Sequence, residues 1–208
     1  MRLIGILRSP YVRRTAVSLN VMGIPYALDA VPVFDQPELV RPHNPLTRVP
    51  TLVLDSGEAL IDSAVILDYL DELAGAEKRL VPERGAERRQ VLKLTAVALG
   101  AVDKAVWSAY EYRFRPAEKV HKPWVQHNDA QVVAGFTHLD AIAAKLGDND
   151  WLAGTARMSQ ADITTAVGFT FAQLVRPNLG LVEKAPHVAR FAARCEGLAP
   201  FKAAAIPA

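Results

Sequence analysis

Residues 44–63 read Asn-Pro-Leu-Thr-Arg-Val-Pro-Thr-Leu-Val-Leu-Asp-Ser-Gly-Glu-Ala-Leu-Ile-Asp-Ser. Two short runs, Thr51–Leu54 and Glu58–Ile61, flank Asp55-Ser56-Gly57, which is a β-hairpin signal. Pro50 stands immediately before the first run. It has no N–H to give to a ladder, so it belongs at a strand's first residue or in a turn. Taken alone, Val49–Pro50 reads as an ordinary trans loop. If that bond is cis, the turn exposes the N–H and C=O of Val49, and such groups can bind an extended peptide as an added strand. Asp62-Ser63 then opens a helix whose face is Ile66, Tyr69, Leu70 and Leu73. There the Ser63 hydroxyl and the free backbone N–H groups form an anion site, and Asp62 can accept from an ammonium. A ligand with a carboxylate beside an amine suits this pair. A plain N-cap role for Asp62 is the commoner use of such a residue.

Upstream, Arg2–Leu7 is a short apolar run that reads as a buried strand. Ser9 suits an N-cap, with Pro10 at the first helical position, where its missing N–H costs nothing. Val12, Ala16 and Leu19 give this helix its apolar face and Gly23 ends it. Tyr26–Val31 reads as a second strand, and Pro32–His43 is too Pro-interrupted for more than a short helix. The order is therefore βαβαββα. Its crossover makes the first two strands parallel, and its hairpin makes the last two antiparallel.

Downstream the texture becomes helical. Residues 79–84 read as a linker between domains at 1–78 and 85–208. A long helix places Val91, Leu94, Ala98, Val102, Ala105 and Ala109 on one seam. Asp103, Trp107, Tyr110 and Phe114 lie on a second face, suited to an apolar substrate pocket, to another chain or to a second core contact. Pro116 and Pro123 bracket a break; Val132–Leu146, Ser159–Val175 and Ala185–Arg194 follow as helices, making an all-α domain. Ser159-Gln160-Ala161-Asp162 is a capping box, with a folding role rather than a catalytic one. The Ala-rich tail after Phe201 reads as a frayed end.

Composition excludes several classes. Of 208 residues, half are hydrophobic, which rules out wholesale disorder. Twenty-four Lys+Arg against 22 Asp+Glu leave a net charge of +2, too little and too scattered to argue for nucleic acid. The single cysteine, Cys195, excludes a disulfide framework and a cysteine-based zinc cluster. The five histidines show no H-E-x-x-H spacing, so no metal is expected. No run is long enough for a transmembrane helix and no secretory h-region is seen, so a cytoplasmic protein is expected. No G-x-S-x-G elbow surrounds Ser9, which argues against a Ser-His-Asp hydrolase.

Together, Ser9-Pro10-Tyr11-Val12-Arg13-Arg14, the Val49-Pro50 turn, Asp62-Ser63 and the helical second half resemble the glutathione S-transferase family over nearly the whole chain. The start resembles a bacterial subgroup. Asn44–Pro50 resembles the N-P-x-G-K-V-P signature, with Thr47 in place of Gly and Arg48 in place of Lys. The resemblance implies a thioredoxin-like α/β domain followed by an all-α domain. It implies glutathione as co-substrate, a small electrophile as its partner, and a homodimer. It implies Ser9 at the sulfur, with Tyr11 as an alternative. It also implies Val49 on the cysteinyl backbone, Asp62 and Ser63 on the γ-glutamyl end, and Arg48 or His43 on the glycyl carboxylate. The absence of a cysteine near Ser9 argues against thiol–disulfide exchange by the protein itself. The same fold also serves non-catalytic, protein-binding members akin to stringent starvation protein A, and glutathione-dependent isomerases and peroxidases. The sequence names neither the second substrate nor the reaction among these.

Overall fold

Gly5 closes the first strand at φ 135°, and a Cβ built there would lie 2.5 Å from Val12 Cγ2 and 2.9 Å from Val49 Cβ. Only a hydrogen fits, so this residue lets the first strand, the first helix and the Val49 loop approach one another. The computed structural model describes residues 1–207. In chain order the elements are β1 (Arg2–Ile4), α1 (Pro10–Met22), β2 (Ala27–Asp29), α2 (Pro37–Val40), β3 (Thr51–Val53), β4 (Ala59–Ile61) and α3 (Ser63–Lys78). Then come α4 (Gly85–Phe114), α5 (Lys122–Ala143), α6 (Gln160–Val175), α7 (Leu181–Lys184), α8 (Pro186–Glu196) and α9 (Ala199–Lys202).

The sheet order is β2-β1-β3-β4; β1 and β2 are parallel, β1 and β3 antiparallel, β3 and β4 antiparallel. This is the expected βαβαββα arrangement, ahead of a largely helical second half. Each strand is three residues long, shorter than the apolar runs that announce it. Side chains beyond the paired residues still enter the core, because burial does not require a ladder. Ser9 caps α1 from the extended region, and Gly23 closes it in the left-handed conformation at φ 70°. Leu3, Val12, Ala16, Leu19, Leu52, Ile66 and Leu70 are fully buried between sheet and helices.

The chain divides into two compact units. One is Met1–Glu83 together with the stretch from Gly197 onward; the other is Arg84–Glu196. The tail corrects the expectation of a frayed end. Phe201 and Ala204 are fully buried, and α9 packs on α1. The Arg13 Nε donates to the Ala204 carbonyl at 2.9 Å, and Asn20 Nδ2 to the Pro200 carbonyl at 2.9 Å. Arg13 is only 3% exposed, so its donors need acceptors, and the tail supplies one.

In the second unit the α4 seam packs against α5 and α6. A Cβ on Gly168 would fall 2.5 Å from Val102 Cγ2, so glycine sets the closeness of α4 and α6. Asp140 on α5 caps α8: Oδ1 accepts from the amides of His187 at 2.6 Å and Val188 at 2.9 Å, and Oδ2 meets His187 Nδ1 at 2.9 Å. Burial pushes the Asp140 carboxyl up. The hydrogen bonds from the His187 ring and the two amides outweigh it and hold the carboxyl below its ordinary value. Its stabilising contribution is therefore present above the unfolded value of about 3.9 and is lost as pH falls through the depressed folded value. Asp140→Ala is expected to cost about 1–2 kcal/mol at pH 7, with the gap from wild type narrowing in acid. Urea unfolding at pH 7 and below pH 4 checks this; a gap that widens in acid would contradict it. No helix among the described residues is long and apolar enough to cross a membrane.

Candidate functional site

The first unit carries a shallow, open cleft of about 360 Å³, counting space open to solvent. Its wall is assembled from α1, the loop before β3, the end of β4 and the start of α3.

The loop is organised by Asn44, which is 2% exposed. Its Nδ2 donates to the Arg48 carbonyl at 2.8 Å and to Thr51 Oγ1 at 3.3 Å, while its Oδ1 accepts from the Leu46 amide at 2.9 Å. One buried amide thus ties both ends of the loop and presents Arg48 and Val49 to the cleft. From sequence, Asn44 has no role beyond its place in the signature stretch; Asn-Pro as an Asx-turn opener is the signal that could have found it. Thr47 sits at φ 51°, the left-handed region where the family signature has glycine. The Val49–Pro50 bond is cis. Neither the amide nor the carbonyl of Val49 has a backbone partner among the described residues.

Asp62 stands at φ 67° and Oδ1 accepts from the Ala64 amide at 2.9 Å. The N-cap reading is therefore correct, and it occupies one carboxylate oxygen. Ser63 is 2% exposed and lines the cleft. Its Oγ accepts from Arg14 Nε at 3.1 Å and from Arg14 Nη2 at 2.9 Å. Arg14, itself 3% exposed, has no role in the sequence reading beyond the starting motif. Two adjacent arginines on one helix do not announce which neighbour each will meet.

The structure thus brings Tyr11, Arg48, Val49, Pro50, Asp62 and Ser63 to one cleft. Ser9 is half-buried at the α1 N-terminus; its Oγ accepts from the Val12 amide at 3.5 Å, and it is not among the residues of that wall. His43 is not in the wall either. The other expected pocket residues belong to α4 in the second unit: Asp103 is half-buried, and Trp107, Tyr110 and Phe114 are exposed. Tyr110 and Phe114 meet edge to face at 5.3 Å. Ser159 and Asp162 form the expected capping box. Cys195 is buried, and burial first, then the Asp162 charge, pushes its thiol up to about 12, so it stays protonated at neutral pH. Among the described residues, no group of three or more His, Cys, Asp or Glu is placed to hold a metal ion.

Comparison with known proteins agrees with this layout. Residues 3–78 match the family model described as Glutathione S-transferase, N-terminal domain, and residues 111–199 the one described as Glutathione S-transferase, C-terminal domain. An uncharacterized GST-like protein, YibF of Escherichia coli, is 28% identical over 190 residues, covering 91% of each chain. A maleylacetoacetate isomerase of Pseudomonas aeruginosa is 29% identical over 170 residues, covering 78% of this chain and 77% of that one. Among solved structures, a glutathione transferase family member from Pseudomonas fluorescens Pf-5 with bound glutathione superposes with TM-score 0.89 at 28% identity, covering 100% of this chain and 99% of that one.

Proposed function

The chain belongs to the glutathione S-transferase family, and from that premise we propose that it binds glutathione in the Ser63 cleft and transfers it to a small apolar electrophile. The observation that carries this reading is the make-up of one wall. An acceptor (Asp62) and a buried hydroxyl (Ser63) sit side by side at the α3 N-terminus, in the same wall as a loop residue, Val49, whose backbone is unpaired among the described residues. A γ-glutamyl end carries both an ammonium and a carboxylate, and a peptide backbone needs an edge to lie along.

Bound glutathione supplies the sulfur nucleophile, which reacts as thiolate. Asp62 takes the ammonium on the oxygen its cap leaves unused. Ser63, through its hydroxyl and its amide, takes the carboxylate, aided by the helix dipole. Val49 pairs with the cysteinyl backbone, Pro50 fixes that turn, and Arg48 meets the glycyl carboxylate bidentately. Ser9 donates its O–H to the sulfur; the cap uses its lone pair, not its hydrogen. Tyr11, which lines the cleft, is the competing donor. Asp103, Trp107, Tyr110 and Phe114 are proposed to shape the electrophile's surroundings, and two copies are proposed to associate in the cytoplasm.

Calorimetric titration with glutathione tests the cleft. Ser63→Ala and Asp62→Ala are each expected to weaken binding about tenfold or more, from the loss of one hydrogen bond to a charged group. A wild-type protein that binds no glutathione at millimolar concentration would contradict the assignment. A second reading, glutathione-dependent isomerisation, is favoured by the isomerase relative. It uses the same bound thiolate, so assays of conjugation and of double-bond isomerisation, run side by side, separate the two.

A further inference from the structure

Behind Ser63 lies a residue that does not line the cleft yet fixes what the cleft can recognise. The Arg14 guanidinium, on α1, is 3% exposed and directs Nε and Nη2 at Ser63 Oγ from 3.1 and 2.9 Å. A serine hydroxyl has one hydrogen and two lone pairs, and a guanidinium only donates and does not deprotonate. With its lone-pair side held by Arg14, the Ser63 hydroxyl turns its hydrogen away from α1. No hydrogen bond donated by that hydroxyl is found among the described residues, and the residue lines the cleft.

We propose that Arg14 is a positioning residue that makes Ser63 a donor-only group, so that the cleft holds an α-amino-acid end in one orientation, carboxylate on Ser63 and ammonium on Asp62. Without that grip a serine hydroxyl accepts from an ammonium as readily as it donates to a carboxylate, and the two ends of the zwitterion are no longer told apart. The neighbouring Asp62 needs no such device, because a carboxylate accepts only. The buried cation adds attraction for an anion through the same hydroxyl, which a Lys at the surface of the cleft would supply with less directionality.

This proposal rests on the glutathione reading and is tested so that the two can fail separately. The probes are glutathione and its analogue with a 4-aminobutanoyl group in place of γ-glutamyl, which keeps the ammonium and lacks the carboxylate. Dissociation constants for both are measured by calorimetry on the full chain. The wild type is expected to prefer glutathione. Arg14→Met, which keeps the stem, is expected to reduce that preference about tenfold. Arg14→Lys, which can still donate to Oγ, is expected to restore part of it. In a Ser63→Ala background, Arg14→Met is expected to change the preference no further. Arg14→Gln, a neutral donor of similar length, carries the test if the Met variant does not fold, and is expected to show an intermediate loss. A preference unchanged by the substitutions, or an equal loss of affinity for both probes, overturns the role of Arg14 and leaves the glutathione site intact. A wild type that binds neither probe overturns both.

Discussion

In the Ser9→Ala variant the thiol of bound glutathione is expected to titrate about two pH units higher than in the wild type, returning to the free value of about 8.5. A bound value near 6.5 would leave about three-quarters of the sulfur ionised at pH 7, against about 3% in the variant, a ratio of about 25. Turnover should fall by less. A thiolate relieved of a hydrogen bond is more nucleophilic, with a Brønsted slope of about 0.4–0.5, so two pH units return about six- to tenfold. The net loss at pH 7 is therefore about 2.5- to fourfold, the two profiles cross at about pH 7.5–7.7, and above about pH 8 the variant is expected to exceed the wild type. The crossing of the two pH profiles is the diagnostic feature, because a variant that was merely misfolded would be slower at every pH. The cap that Ser9 also provides is long, 3.5 Å to the Val12 amide, so its loss is expected at the lower end of the usual capping range of about 0.5–2 kcal/mol. Thiolate absorbance of the bound tripeptide measures the titration directly. The role belongs to Tyr11 if Tyr11→Phe produces the shift and Ser9→Ala does not, an outcome for which the place of Tyr11 in the cleft wall provides the structural reason.

How far the sequence reaches can be judged from these same residues. The βαβαββα order was legible because its punctuation is local: Ser9-Pro10 starts a helix, Gly23 stops it, and Asp55-Ser56-Gly57 turns a hairpin. The α6 box was legible for the same reason. What sequence left open depends on contacts across the chain. Ser63 reads as a cap or an anion ligand; its partner Arg14 lies 49 residues away and sits on a helix with a second arginine of equal standing. Likewise, nothing in an Ala-rich tail says that Arg13, 191 residues earlier, will donate to its carbonyl. A buried cation recruits whatever acceptor the fold delivers, and that choice is made by topology. The cis form of Val49–Pro50 belongs to the same class, since the local chain favours trans.

Asp162→Ala is expected to lower the stability of the second unit by about 3–5 kcal/mol, more than a helix cap is usually worth. The carboxylate is fully buried and accepts three bonds: Ser159 N and Ser159 Oγ to Oδ2, each at 2.7 Å, and Leu152 N to Oδ1 at 2.8 Å. Two of these donors are backbone amides with no alternative once the acceptor goes, and each orphaned buried donor costs about 1–3 kcal/mol. Asp162→Asn should fare little better. Its oxygen can serve one amide, but its NH₂ then faces the other donors. Ser159→Ala removes one of the three bonds, so about 1 kcal/mol is expected for it. The pH dependence separates this carboxyl from Asp140. Burial is the largest influence on Asp162 and outweighs the hydrogen bonds it accepts, so its folded value lies above the ordinary one. The unfolded chain then ionises first as pH rises, and the stability tied to this group declines between the unfolded value of about 3.9 and the raised folded value. The gap between wild type and Asp162→Asn is therefore expected to be wider in mild acid than at pH 7, opposite in sign to the Asp140 gap. Urea unfolding followed by far-UV circular dichroism at both pH values measures it. A cost below about 1 kcal/mol for Asp162→Ala would reduce the box to an ordinary surface cap.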